Sequence, residues 1–362
     1  MPPTDQLHPP RNHALAPPAD IEHGPIGLEN LERVLSRSED SPDLAPDIEN
    51  VCPAARPNLT EHLHIHGYFT IFSILGTLSR LGLTAMTTYS GAPVGGGTVI
   101  WANFSGSAVM GFLVADARVF RPGRATLPLY MGLTTGLCGS FTSFSSFEFE
   151  TFRLLAGRGS GGNAFMAAAA YVIATLALSL GGLQFGAHVS HALRRTLVAI
   201  PERALPVLDW IAVPLAVACW VAALVTAIVI PRWRGEVLWA CVLSPPGAYA
   251  RFWISRRLNP TLHSFPVGTF TCNIAGTLVM AGLSIGMGRS PGVDGCGVLR
   301  GVASGFCGCL TTVSTFVVEL RGLSVHGAYR YAAWSVSVGL AAMLVMLGGW
   351  TWGKGGELVC SI

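Results

Sequence analysis

The sequence predicts an all-α integral membrane protein made of two antiparallel four-helix repeats joined by one linking transmembrane helix. Three observations carry that expectation. The 362 residues are 51% hydrophobic and only 12% charged, with a mean hydropathy of +0.50, far from soluble averages. Windows of about twenty apolar residues, the length that crosses a hydrocarbon core, recur after residue 64. An unusual segment rich in Gly, Cys and hydroxyls occurs twice, as GLCGSFTSFSSF at 136–147 and GFCGCLTTVSTF at 305–316.

Taken in order, residues 1–62 are rich in Pro, Asp, Glu and Ser, carry no signal-peptide core and read as a disordered tail. EHLHIH, Glu61 to His66, has alternating histidines that read as interfacial polar residues rather than as a metal site. Nine spans are expected near 65–87, 98–115, 127–150, 164–187, 207–230, 237–256, 265–287, 297–319 and 328–351. They group into a first repeat at 63–190, a linker with one span at 191–235, a second repeat at 236–352 and a short tail at 353–362. A formal net charge of +3 and the lack of a basic stripe exclude a nucleic-acid partner. The partner implied is the lipid bilayer. Nine scattered cysteines, without a C-x-x-C pair, read as buried thiols rather than a disulfide framework or a metal site.

The repeat rests on register. Arg80 and Arg251 lie 171 residues apart, Asn103 and Asn273 170, and Gly139 and Gly308 169. Four spans return the chain to its starting side, so the extra linking span makes the second repeat enter from the opposite face. Arginines counted on the two sides mildly favour a cytoplasmic N-terminus and an external C-terminus.

Within lipid a broken helix is tolerated only where it is buried in protein or lines a cavity, which singles out Gly136, Gly139, Gly305 and Gly308. Unwinding at these glycines would free the carbonyls of Gly139, Thr142, Gly308 and Thr311 to form an oxygen cage for a hard monovalent cation. Close helix packing at small residues is the alternative. Asn103 and Asn273 sit at equivalent places where an unpaired amide is costly. They either donate N–H groups to an anion or bond between helices. TSFSSF and TTVSTF combine hydroxyls, including those of Thr312 and Ser314, with the edges of Phe144, Phe147 and Phe316, which are electropositive. Arg80 and Arg251 are expected to guide anions at the vestibules, to pair with Glu150 and Glu319, or to snorkel to headgroups.

GLCGSFTSFSSFEFE, GFCGCLTTVSTFVVE, the NFSG and NIAG of the second span in each repeat and the Arg of the first resemble the CrcB/Fluc fluoride channels, in the arrangement of the eukaryotic fluoride exporter branch. The resemblance covers most of residues 65–350 and recurs in order in both halves. It implies passive, selective export of fluoride ion across the plasma membrane, conferring fluoride resistance, by a single chain acting as a pseudo-dimer. It further implies a structural Na+ held by the carbonyls of Gly139, Thr142, Gly308 and Thr311. By position it assigns pore roles to Phe144, Phe147, Phe316, Asn103, Asn273 and Thr269, and places the family's glutamate at Glu150 and Glu319. Two departures matter: the fourth Phe position is Val313, and the Thr matching Thr269 is Val99 in the first repeat. If each path draws one Phe from each repeat, Phe144 with Phe316 makes one competent pore and Val313 with Phe147 a degraded one.

A negative membrane potential, worth about 2.3 kcal/mol per charge per 100 mV, drives an anion outward through any selective leak. No phosphate-binding G-x-x-x-x-G-K-[ST] motif is present. The alternative is a proton-coupled carrier, which would need a midplane acid, and Glu148, Glu150 and Glu319 are the candidates. An assembly subunit would not need duplicated polar motifs, and an enzyme would need a nucleophile–base or metal-ligand spacing that is not seen.

Overall fold

The computed structural model describes residues 59–92, 97–116, 118–120, 127–157, 161–230, 235–289, 292–356, 358 and 360. The expected tail up to residue 58 lies outside the described residues, as do the loop arginines Arg121, Arg124, Arg158, Arg232 and Arg234. All regular structure among the described residues is helical.

Among the described residues, six helices are long and apolar enough to cross a membrane. Helix α1 spans Leu59–Met86 and α2, shorter but apolar, Ile100–Ala115. Helix α3, Pro128–Met131, widens into a π-helical stretch, Gly132–Cys138, and closes with the turn Gly139–Phe141. After a break, α4 runs over Phe144–Ala156 and α5 over Gly161–Leu193. Helix α6, Ala204–Val229, packs on α1 and on α7, Glu236–Leu258, and turns Trp210 and Val217 outward. Helix α8 covers Val267–Met287; α9, Gly292–Gly301, passes through a second π-stretch, Val302–Cys307, into the turn Gly308–Leu310. Helices α10, Ser314–Gly322, and α11, Val325–Lys354, complete the chain. One succession, a long helix, a second helix, a π-widened broken helix and a long helix, therefore occurs on either side of α6.

The breaks fall later than the sequence suggests. Gly139 and Gly308 keep right-handed helical dihedrals, and the chain becomes extended at Thr142 (φ −98°, ψ 153°) and Thr311 (φ −94°, ψ 155°). A π-helical stretch precedes each break, and the glycines serve close approach rather than unwinding. A Cβ on Gly139 would stand 2.4 Å from Nη2 of Arg251, and one on Gly308 2.3 Å from Nη2 of Arg80.

The two halves differ in how their helices approach. A Cβ on Gly111 would lie 1.9 Å from the Leu183 carbonyl oxygen and one on Gly186 1.8 Å from that of Ala108, so α2 and α5 touch backbone to backbone. Between α8 and α11 a Cβ on Gly282 would meet only the tip of Met346, at 3.9 Å. Met346 follows Tyr331 by the same fifteen residues that separate Gly186 from Tyr171.

One sequence expectation about cysteine is corrected. Cys296 and Cys360 form a disulfide across 64 residues, because the last turns bring the C-terminal segment back over α9 and its neighbours. Cys138, Cys241, Cys272, Cys307 and Cys309 are buried free thiols as expected, whereas Cys219 is exposed.

Candidate functional site

The centre is built from the two breaks and two arginines. Arg80 is 2% exposed, and its Nη1 donates to the carbonyls of Ser140 (2.7 Å) and Gly308 (2.8 Å), with a long contact to Thr142 (3.5 Å); Nη2 donates to the Ser304 carbonyl. Arg251 repeats this from the other half: Nη1 donates to Gly139 (2.7 Å) and Thr311 (3.3 Å), Nη2 to Thr135 (2.5 Å). Neither arginine lies at a vestibule, and neither pairs with Glu150 or Glu319, because the carbonyls freed by the π-turns and breaks offer a full set of acceptors at the centre. Each reaches across to the other half, and each guanidinium rests on the glycine of the opposite turn. Hydrogen bonds to a charged donor are worth about 1.5–3 kcal/mol each, so the two forks tie the halves strongly.

Hydroxyls cross in the same way. Thr142 Oγ1 accepts from the Val313 and Ser314 amides at 3.1 and 3.0 Å, capping α10, and lies 3.2 Å from both Thr312 Oγ1 and Ser314 Oγ. Thr311 Oγ1 accepts from the Ser145 amide at 3.1 Å, capping α4. Each half-helix is thus capped by a threonine of the other half, where its own start offers too few acceptors for the first amides.

Asn103 and Asn273 hold the breaks open. The Ser143 amide donates to Asn103 Oδ1 (2.9 Å) and the Thr312 amide to Asn273 Oδ1 (2.8 Å). Asn273 Nδ2 donates to the Thr312 carbonyl at 3.2 Å, and Asn103 Nδ2 to that of Ser143 at 3.5 Å. Bonding between helices therefore occupies the carbonyl and one N–H of each amide, and the second N–H remains for an ion.

The aromatic pairing follows the sequence. Phe144 and Phe316 meet edge-on, 5.8 Å apart, and Phe316 continues to Tyr331 at 5.0 Å. Phe147 lies edge-on to Phe144 at 5.6 Å and also meets Tyr171 at 5.9 Å, in the same apolar core that holds Val313, Phe144 and Phe316. The two glutamates part company. Glu319, buried, accepts from Thr269 Oγ1 (2.5 Å), Tyr331 Oη (2.8 Å) and Asn259 Nδ2 (3.3 Å). Glu150 is salt-bridged to the half-exposed Arg153 at 3.0 Å. Val99 stands where Thr269 stands in the other half, so the first half lacks the hydroxyl that anchors its glutamate inward.

Sequence reasoning passed over Tyr331 and Asn259, although Tyr171 and Tyr331, each 24 or 15 residues past the second Phe position, fall on the fourth helix of each half. Ser140, Thr135 and Ser304 act only through main-chain carbonyls and leave no signal in composition. The histidines of EHLHIH pack on aromatics, His62 stacked on Trp253 and His66 edge-on to Tyr249, and no cluster of metal-ligating side chains occurs among the described residues.

The donor chemistry at the centre suits a hard cation. One nitrogen of Arg80 reaches both the Gly308 and Thr142 carbonyls, and one of Arg251 both Gly139 and Thr311, so the four oxygens form two mixed pairs drawn from both halves. Each carbonyl keeps a second lone pair, and those of Thr142 and Thr311 are engaged only by long contacts.

Such an architecture, two broken helices locked through crossed arginines and flanked by long apolar helices, is that of an all-helical integral membrane protein. The family described as CrcB-like protein, Camphor Resistance (CrcB), matches residues 68–187 and again 238–349. The chain belongs to this family. It is 40% identical to Fluoride export protein 1 of Neurospora crassa over 83% of this chain and 69% of the relative, and 36% identical to Fluoride export protein 1 of Candida albicans over 80% of each. A stretch covering 28% of the chain is 35% identical to 78% of the Fluoride-specific ion channel FluC of Klebsiella pneumoniae. No solved structure matches the chain.

Proposed function

We propose that this chain is a passive, selective fluoride channel that exports the ion across the plasma membrane and confers fluoride resistance. The observation that supports this reading is a polar-aromatic cluster beside the centre: Phe144 meets Phe316 edge to edge, and Tyr331, Thr269 and Glu319 continue from it as a bonded network. Ring edges and O–H and N–H groups hold a small anion without a fixed cation beside it. The spare N–H of Asn273 and the amide end of α10 add to the same field. The relatives named fluoride export proteins and fluoride-specific channels support the substrate and favour a channel over a proton-coupled carrier.

In this reading the chain crosses the bilayer nine times as two inverted repeats and works alone as a pseudo-dimer. Only one path conducts. Val313 withdraws an aromatic edge from the second, Glu150 faces Arg153, and the touching backbones of α2 and α5 leave no gap between those helices at the level of Gly111 and Gly186. Disulfides persist in oxidising compartments, so Cys296–Cys360 supports an external C-terminal end and, with nine spans, a cytoplasmic N-terminus. A central Na+ would be held by the carbonyls of Gly139, Thr142, Gly308 and Thr311, adding fixed positive charge and rigidity at the junction of the halves.

The test is fluoride efflux from liposomes holding the purified protein, with voltage clamped by a potassium ionophore and no pH gradient. Rapid release of fluoride but not chloride is expected. Phe144→Ala is expected to slow release at least about tenfold while Phe147→Ala leaves it near wild type. The opposite ranking, or release only under a proton gradient, would overturn the reading.

A further inference from the structure

A carboxyl lies on α4 outside the network just described. Glu148 is fully buried, and neither carboxylate oxygen has a hydrogen-bond partner. It follows Phe144 by four residues on α4, so both project from one face. That face packs on α11, whose buried stripe Tyr331, Ser335, Gly339 and Met343 recurs every fourth residue. A Cβ on Gly339 would stand 3.0 Å from the Glu148 carboxyl carbon, so glycine makes the notch in which the carboxyl sits. Ser335, one turn earlier on that stripe, also carries a buried hydroxyl without a partner.

The other half shows that the pair changed together. By repeat register Glu148 corresponds to Val317, and Gly339 to Ser179. The degraded path therefore pairs an apolar side chain with a hydroxyl, and the conducting path a carboxyl with a space. An unpaired ionised carboxylate in such surroundings is costly, whereas a neutral carboxyl retains an O–H donor. No basic side chain faces it. Helix α8 carries none; on α11 His326, Arg330 and Lys354 are exposed and only Tyr331 is buried; on α5 Tyr171 is buried and His188 and His191 are exposed; the turn Gly308–Leu310 contributes only Cys309.

We propose that Glu148 is a fluoride-binding group of the Phe144–Phe316 path, donating its carboxyl O–H to the passing anion when neutral and repelling it when ionised. This rests on that path being the conducting one. Fluoride accepts the bond while the proton stays on the carboxyl, so no proton is carried with the ion. The sign follows: the neutral form is fuller at low pH, and conduction falls as pH rises through the titration of Glu148.

The experiment is fluoride efflux from liposomes at matched pH on both sides, stepped from about 5 to about 8. Wild type is expected to slow with rising pH. Glu148→Gln, which keeps an N–H donor but cannot ionise, is expected to lose that dependence. Glu148→Val, the residue of the other half, is expected to slow efflux about tenfold at the acid end. Gly339→Ala, which crowds the carboxyl without removing it, is expected to slow efflux as well. Monodisperse elution in detergent establishes that each variant is folded, and should Glu148→Val not fold, the pH profile of Glu148→Gln decides alone. With Phe144→Ala still inactivating, a Glu148→Gln profile that tracks wild type overturns this proposal and leaves the channel reading standing. If Phe147→Ala rather than Phe144→Ala abolishes efflux, the path assignment fails and the proposal fails with it.

Discussion

Gly308→Ala tests whether the glycines of the duplicated segment exist to admit the arginines. The added methyl would lie 2.3 Å from Nη2, 2.6 Å from Cζ and 2.7 Å from Nη1 of Arg80, well inside contact distance. The guanidinium is held on both sides, by the carbonyls of Ser140 at 2.7 Å and Gly308 at 2.8 Å, so it cannot swing away without breaking a bond. Overpacking costs about 1–3 kcal/mol and one lost bond to a charged donor about 1.5–3, a sum of roughly 3–6 kcal/mol. Against a typical total of about 5–15 kcal/mol this is a large loss, readable as a fall of roughly 10 °C in thermal midpoint. Thermal unfolding in detergent measures it. Gly181→Ala, whose methyl would meet nothing within 4 Å, is the control and should be neutral or slightly stabilising. In an Arg80→Met background the methyl meets no guanidinium, so Gly308→Ala should add little. A full, additive cost in that background, or a Gly308→Ala protein as stable as the control, refutes the assignment.

Three further outcomes are expected. Glu319→Ala strands the hydroxyls of Thr269 and Tyr331 and should cut fluoride efflux at least about tenfold, whereas Glu150→Ala, which loses only a partly exposed bridge to Arg153, should conduct near wild type; parallel efflux assays decide. Cys296→Ser opens a 64-residue loop and should cost about 4 kcal/mol, seen as a lower thermal midpoint that reductant reproduces in wild type but not in the variant. Replacing Na+ with a large organic cation on both sides should slow fluoride efflux if the central carbonyls hold the metal; unchanged efflux after exhaustive exchange would leave those carbonyls to the arginines alone.

Much of the fold was legible because hydropathy and register are local properties of the chain. The long helices fall within a few residues of the apolar windows, and the contact of Phe144 with Phe316 is the pairing that the family resemblance implies. What escaped depends on docking. Arg80 and Arg251 look like helix-end residues until the opposite break supplies acceptors, whereas bonding of Asn103 and Asn273 between helices is one of the two readings the sequence leaves open. The glycines signalled a break correctly but not its position, since π-turns shift the extended residues to Thr142 and Thr311. Cys296 and Cys360 carry no spacing signal, because only the return of the C-terminal segment brings them together. The unequal fates of Glu150 and Glu319 were written in Val99 against Thr269, a difference of one hydroxyl.

The pattern of symmetry separates what the molecule needs twice from what it needs once. Crossed arginines, their glycines, the capping threonines and the asparagines are present in both halves; the arginines, glycines and threonines serve the half opposite, and each asparagine holds the break of its own half. Removing an arginine or a capping threonine strands buried carbonyls or amides of the other half, so neither copy is free to drift. The path residues carry no such debt. In the proposed reading, Phe at the position of Val313 or Thr at that of Val99 would stabilise only an anion passing on one side, and a single open path would suffice for a passive flow driven by the membrane potential. Fusion of two repeats in one chain is what permits this: in an assembly of identical copies every substitution falls on both paths, whereas here Glu148 faces Gly339 in one path while Val317 takes the same place in the other. Symmetry is retained at the centre because the lock is reciprocal, and lost along the paths because conduction is not.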